Sequence, residues 1–210
     1  SIRSNKLHDY TNYTYRISLY AISPQSINQI YAQAVYPGNE SILLKGNSVF
    51  VCSDSGMSSE YANRSFFPTD LTIDNLEIKS TVHANDVTTR ATDVNTMKFD
   101  IIEPYTVNFL TNLGRLAKLY DPNGTWNSTF FCLKIEFLGY NDLGQPLQPT
   151  TDVNGNGEVI PGTTKYIPFS FNRIKFHVTG AGGRYACEAM GVNGIGLTGL
   201  DNQIPFHMEV

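Results

Sequence analysis

The sequence predicts an α+β fold: a mainly antiparallel β-sheet or barrel with two helices. Three observations carry that reading. Several runs alternate apolar and polar residues, the period of a half-buried strand. Only two stretches show helical spacing instead. Strands and helices do not alternate strictly, so a parallel sheet built from βαβ units is not expected. The 12 Tyr, 12 Phe and 17 Gly among 210 residues agree with strands joined by many turns. No internal repeat or linker divides the chain, so residues 1–210 are read as one domain.

The first strand is Tyr13–Tyr20, where Tyr13, Tyr15, Ile17 and Leu19 alternate with polar residues. A helix follows: Ser23 is a good N-cap, Pro24 suits the first turn, and Ile27, Ile30, Tyr31 and Ala34 form one stripe. Pro37-Gly38 ends it. Ile42–Leu44 and Val49–Cys52 flank Lys45-Gly46-Asn47-Ser48, the pattern of a strand pair around a tight turn. Leu71, Ile73, Leu76, Ile78, Ser80 and Val82 give the most regular alternation, and its change of phase at Asp74-Asn75 predicts a bulge. Met97–Pro104 is a further strand, stopped by its proline.

Val107, Leu110, Leu113, Leu116, Ala117 and Tyr120 predict the second helix, with Thr106 as N-cap and Asp121–Gly124 as the closing turn. Phe130–Tyr140 reads as a strand and Asn141–Thr163 as a long loop. Tyr166–Thr179 and Arg184–Gly191 are joined by Gly180-Ala181-Gly182-Gly183, a hairpin signal. The Gly-rich stretch Val192–Asn202 precedes a strand-like end, Gln203–Val210, with no cap or polar tail. That end leads to the expectation that the chain is the leading module of a longer protein.

Composition bounds the function. Charged residues make up 16% and apolar ones 41%, so the chain has the core material and lacks the charge density of a disordered segment. The net charge of −4 and a pI near 5.5 argue against a sequence-independent grip on nucleic acid, which needs a basic face. No apolar run approaches the ~20 residues of a spanning helix. Cys52, Cys132 and Cys187 each sit inside an apparent strand and lack zinc spacing, so buried free thiols are expected.

Motifs for chemistry are sparse. Asp152, Asn154 and Asn156 with Gly157 match the first half of an EF-hand loop, and Glu158 is an irregular further ligand for calcium. Thr163 stands where the bidentate carboxylate belongs, so an Asn/Gly turn is the favoured reading and no metal or cofactor is expected. His8, His83, His177 and His207 are not paired at metal spacing. Gly194–Gly199 has the letters GxGxxG but follows no clear strand and opens no helix. No nucleophile elbow is present. A non-enzymatic role is therefore expected.

Several phrases together resemble large virion structural proteins of tailed bacteriophages. They are Asn5–Tyr10 followed by Tyr13–Leu19 and Ser23-Pro24, then Phe67–Ile78, then Met97–Pro104 with its helix. Phe137–Tyr140, Tyr166–Phe169 and Ile174–Val178 belong to the same set. The order of elements is similar to the tube domain of tail and baseplate-hub proteins. The resemblance implies a bent antiparallel sheet with a packed helix, copies of which join edge to edge into a ring around the tail channel. It implies a virion location, partners among copies of itself (a trimer or hexamer) and neighbouring tail proteins, and passage of DNA without specific binding. Leu71, Ile73, Leu76, Ile78, Met97, Phe99 and Ile101 are then the candidates for a subunit interface or channel lining. Two alternatives are kept: an extracellular binding or adhesion domain using loops 53–65 and 141–163, and an internal virion protein ejected with the genome.

Overall fold

The computed structural model describes residues 6–23, 48–54, 66–68, 70–81, 94–144, 158–160, 163–180 and 182–192. A 3₁₀ turn at Lys6–Asp9 leads into β1 (Asn12–Ile22). Then come β2 (Ser48–Ser53), β3 (Thr72–Thr81) and β4 (Val94–Glu103). One α-helix, α1 (Phe109–Tyr120), precedes a 3₁₀ turn at Trp126–Ser128. The remaining strands are β5 (Phe130–Tyr140), β6 (Glu158–Val159), β7 (Lys165–Thr179) and β8 (Gly182–Gly191). The α+β class holds. The first expected helix, the expected strand at 42–44 and the strand-like end at 203–210 lie outside the described residues, among which there is one α-helix.

The sheet runs in the order β1-β2-β3-β4-β8-β7-β5-β6, and β5 also pairs with β1. Every pairing but one is antiparallel, and all eleven residues of β1 lie in the ladder with β5. The exception is β2 with β3, a parallel contact of the single pair Ser53↔Thr72. The sheet thus curls until its ends touch, but it does not form the expected barrel. A closed barrel carries continuous staggered ladders around its whole circumference; here one residue pair stands where a ladder is required.

The bulge in β3 is present. Its register against β4 shifts between Asp74 and Glu77, and Asn75 takes a left-handed φ of 53°. Asn tolerates that region better than most residues, and its backbone N–H is held by Asp74 Oδ1 at 2.8 Å. The shift returns Leu76 and Ile78 to the face of Leu71 and Ile73. The β7–β8 hairpin also forms, with Thr179 opposite Gly182. Gly182 has a φ of +121°, and a Cβ there would stand 2.2 Å from the Glu103 carbonyl oxygen, so glycine is required. Sequence patterning overlooked β6, which pairs Val159 with Leu138 inside the stretch read as loop.

The concave face holds the core. Phe131 and Phe171 meet at 4.6 Å between ring centroids, Phe169 and Phe171 at 5.3 Å, and Phe99 contacts both Phe169 and Phe171 at 5.8 Å. Phe109, Leu113, Leu116 and Ala117 of α1 close one end of this core. The helical stripe therefore starts at Phe109, and Val107, which the spacing placed on it, is 51% exposed. Offsets of four, seven and eight from Phe109 follow the helical period better than a string of threes.

Thr106 is not the N-cap. Asn108 holds that position without a side-chain cap, and Glu103, at the end of β4, does the capping. The Glu103 carboxyl is fully buried. Oε1 accepts the Thr106 hydroxyl and the Asn108 N–H, the latter at 3.0 Å. Oε2 accepts the Phe109 N–H at 3.1 Å and the Tyr185 hydroxyl at 2.8 Å. One side chain thus ties β4 to α1 and β8, with acidic oxygens at the positive end of the helix.

Removing that carboxyl leaves two buried donors, the Phe109 N–H and the Tyr185 hydroxyl, and two part-buried ones without their acceptor. Glu103→Ala should therefore destabilise the fold by more than ~3 kcal/mol, and Tyr185→Phe by about 1–2 kcal/mol. Urea unfolding monitored by near-UV circular dichroism measures both. Glu103→Gln should fall between them, since its amide places a donor where two donors already point.

Candidate functional site

Past the Ser53↔Thr72 contact, no described strand lies between β1 and β3, and a cleft of about 500 Å³ opens there. Its floor is apolar: Ile17 of β1, Ile73 and Leu76 of β3, and Ile135 of β5. Tyr15 and Phe137, directly paired across β1 and β5, form one wall. Asp54, Asp74 and Asn75 supply the polar groups. Tyr13 and Tyr15 are 55% and 58% exposed, and Tyr13 meets Phe137 edge-on at 6.5 Å. These aromatics lie on the face that carries the core further along β1, because Tyr13, Tyr15, Ile17 and Leu19 share one side of the strand.

On the convex side of β1 and β5, Glu136 is clamped. Arg16 donates from Nε at 3.1 Å and Nη2 at 3.0 Å to Oε2, and Lys134 Nζ stands 2.6 Å from Oε1. A second polar centre sits on β4. Asp100 Oδ2 accepts from Arg184 Nη2 at 2.6 Å and from Asn75 Nδ2 at 2.8 Å. Burial alone would raise the Asp100 carboxyl. The hydrogen bonds from Arg184 and Asn75 and the Arg184 charge outweigh it and hold the group below the ordinary carboxylate range. The bulge is thereby fastened to β4.

Two long strand segments have an open edge among the described residues. β3 is paired toward β2 only at Thr72, which leaves Ile73–Thr81 open. β5 pairs with Lys165–Ser170 of β7, and the Trp126–Ser128 turn that leads into β5 also packs against β7, so Phe171–Thr179 has no strand partner on this side and its far part is the open edge. These edges bound the four-strand block β3-β4-β8-β7 on its two sides.

The sequence-derived candidates fall as follows. Leu71, Ile73, Met97, Phe99 and Ile101 are buried in the core of this chain, and Leu76 and Ile78 are half-buried against it. A contact made by β3 would therefore use its open backbone edge and its outer side chains. Asp152, Asn154 and Asn156 lie outside the described residues; Glu158 is in β6, its backbone opposite Gly139. Loop 53–65 is described only at Ser53 and Asp54, and loop 141–163 only at 141–144, 158–160 and 163. Among the described residues, no three His, Cys, Asp or Glu side chains gather as a metal site, and no helix is long and apolar enough to cross a membrane. His8 and His177 are exposed; His83 and His207 are outside the described residues.

The three cysteines are free and buried, as expected. Burial raises all three thiols; for Cys132 the value is pushed up to about 12, slightly opposed by a backbone hydrogen bond from Ile167 and the Lys134 charge. A buried thiol with a raised pKa is a poor nucleophile.

No family model matches the sequence, and neither a curated protein nor a solved structure matches the chain.

Two outcomes follow from these sites. The Asp100 pKa is depressed on folding, so its pair with Arg184 stabilises the fold above the unfolded-state value of roughly 4, and that contribution fades as pH falls through the lower folded value. Arg184→Gln should lower stability at neutral pH, and the gap to the parent should narrow below about pH 4 in urea titrations. A coloured aromatic disulfide at pH 8 should find no reactive thiol in the native protein and all three after denaturation.

Proposed function

We propose that the chain is a non-enzymatic structural component of a phage tail or baseplate hub, forming or capping a ring around the channel through which the genome passes. The observation that carries this reading is the pair of strand edges, β3 and β7, that lack a strand neighbour among the described residues on opposite sides of one four-strand block. A block with one open edge on each side can add copies head to tail, and such heterologous joins close into rings when the rotation allows. The phrases Asn5–Tyr10, Phe67–Ile78 and Ile174–Val178, which resemble virion structural proteins, point the same way. A curled sheet with one packed helix suits the tube-like domain that this resemblance implies. A net charge of −4 also suits a channel component, since like charges keep passing DNA from adhering.

A second reading is a monomeric binding domain. The cleft between β1 and β3 favours it, because exposed Tyr15 beside Asp74 and Asn75 offers a flat ring and hydrogen-bonding groups to a sugar. Light scattering at several protein concentrations separates the two. A trimer or hexamer that persists on dilution is the result expected of a hub ring. A monomer at every concentration overturns the ring; glycan binding lost on Tyr15→Ala would then establish the second reading.

A further inference from the structure

The outer face of the four-strand block carries its charges in rows. Successive cross-strand partners place Glu77 of β3 beside Lys98 of β4, Lys98 beside Glu188 of β8, and Glu188 beside Arg173 of β7. Signs alternate along this row, from negative at the β3 edge to positive at the β7 edge. The next row runs Asp74, Asp100, Ala186 and Lys175. It too begins acidic at β3 and ends basic at β7. Glu77, Asp74, Arg173 and Lys175 are all exposed. Glu77 also reaches Lys79 at 3.0 Å, a solvent-exposed pair of small worth.

Strand direction makes the two edges compatible. β3, β4, β8 and β7 are antiparallel at each step, so β7 runs opposite to β3. A second copy in the same orientation would lay its β3 antiparallel along β7. The bulge fits the spacing: Glu77 and Asp74 are three residues apart, yet they face Lys98 and Asp100, which are two apart. Arg173 and Lys175 are also two apart.

We infer that copies of this chain join by antiparallel pairing of the open β7 edge with the open β3 edge of the next copy, with Arg173 opposite Glu77 and Lys175 opposite Asp74. This inference rests on the ring-forming reading above and names its contact. In that register the sign alternation of the first row continues unbroken from copy to copy. Directly opposed residues share a face, so half-buried Ile174 meets half-buried Leu76 on the concave side. The basic residues on the β7 edge also discourage pairing with an uncharged strand, leaving an acidic edge as the preferred partner.

Charge reversal tests it. Arg173→Glu with Lys175→Glu, or Asp74→Lys with Glu77→Lys, should each weaken self-association by about tenfold or more in sedimentation at low salt. All four changes in one chain exchange the two edges and should restore it. Thermal unfolding of each variant checks the fold. As a charge-free measurement, Lys175→Cys chains mixed with Asp74→Cys chains should form an oxidised dimer that neither gives alone. Assembly insensitive to both reversals, with no such cross-link, overturns this edge pairing and leaves the ring reading standing. A parent chain monomeric at all concentrations overturns both.

Discussion

The fold depends on one buried carboxyl. Glu103 ends β4 at the point where the chain leaves the sheet and turns into α1. A helix entering an apolar core presents unpaired N–H groups to a region with no water to satisfy them. Glu103 accepts the Asn108 and Phe109 N–H groups and also the Tyr185 hydroxyl. Without it, the start of α1 could not lie under the sheet, and Phe109 could not reach its 4.9 Å contact with Tyr185. The same group therefore orients the helix, places the first core residue of its stripe and fixes the tyrosine that roofs this end of the core. Tyr185 in turn stacks on Phe176 at 4.7 Å, so the anchoring reaches the open half of β7.

That anchoring matters because, among the described residues, the far half of β7 has a strand on one side only. A two-stranded projection is marginal by itself in water. Here β4 lies on the other side of β8, and Gly182 lets the hairpin corner approach the Glu103 and Pro104 carbonyl groups closely. β7 is thus held as a firm edge. At the other side of the block, β3 is firm for a different reason. Asn75 hydrogen-bonds Asp100 across the bulge, and Arg184 holds the same carboxylate from β8.

Much of this was legible in the sequence, and the limits have physical causes. β5 was read with its observed ends, because an apolar, aromatic-rich run fills Phe130–Tyr140 between polar stretches. The bulge was legible because a period of two cannot change phase without an extra residue. The hairpin was legible from its glycines. The start of α1 was misplaced because Val107 and Phe109 are both apolar, and only the buried cap decides which begins the stripe. Glu103 itself gave no signal: a carboxylate five or six residues before a helix N–H has no fixed local spacing, unlike a capping box. Sheet and barrel were both left open by the strand pattern, because closure depends on how β2 meets β3. The strands β3 and β4 were read as contact candidates through their apolar residues; burial shows those side chains filling the core of their own chain.

The charge rows were invisible for a related reason. In sequence Glu77, Lys98, Arg173 and Glu188 are scattered through a chain with only 16% charged residues. Registers bring them into one line, and residues separated by up to 90 positions become neighbours. Such a concentration on one convex face is costly to a monomer in one respect. Each row ends with charges that lack a neighbour on the open side, acidic at β3 and basic at β7. Water solvates those ends adequately, so the isolated chain remains stable. In the proposed pairing the acidic end of one copy meets the basic end of the next, whereas two ends of the same sign would repel. Under the proposed pairing, the few charges therefore carry directional information: they favour one orientation of a copy over the reverse.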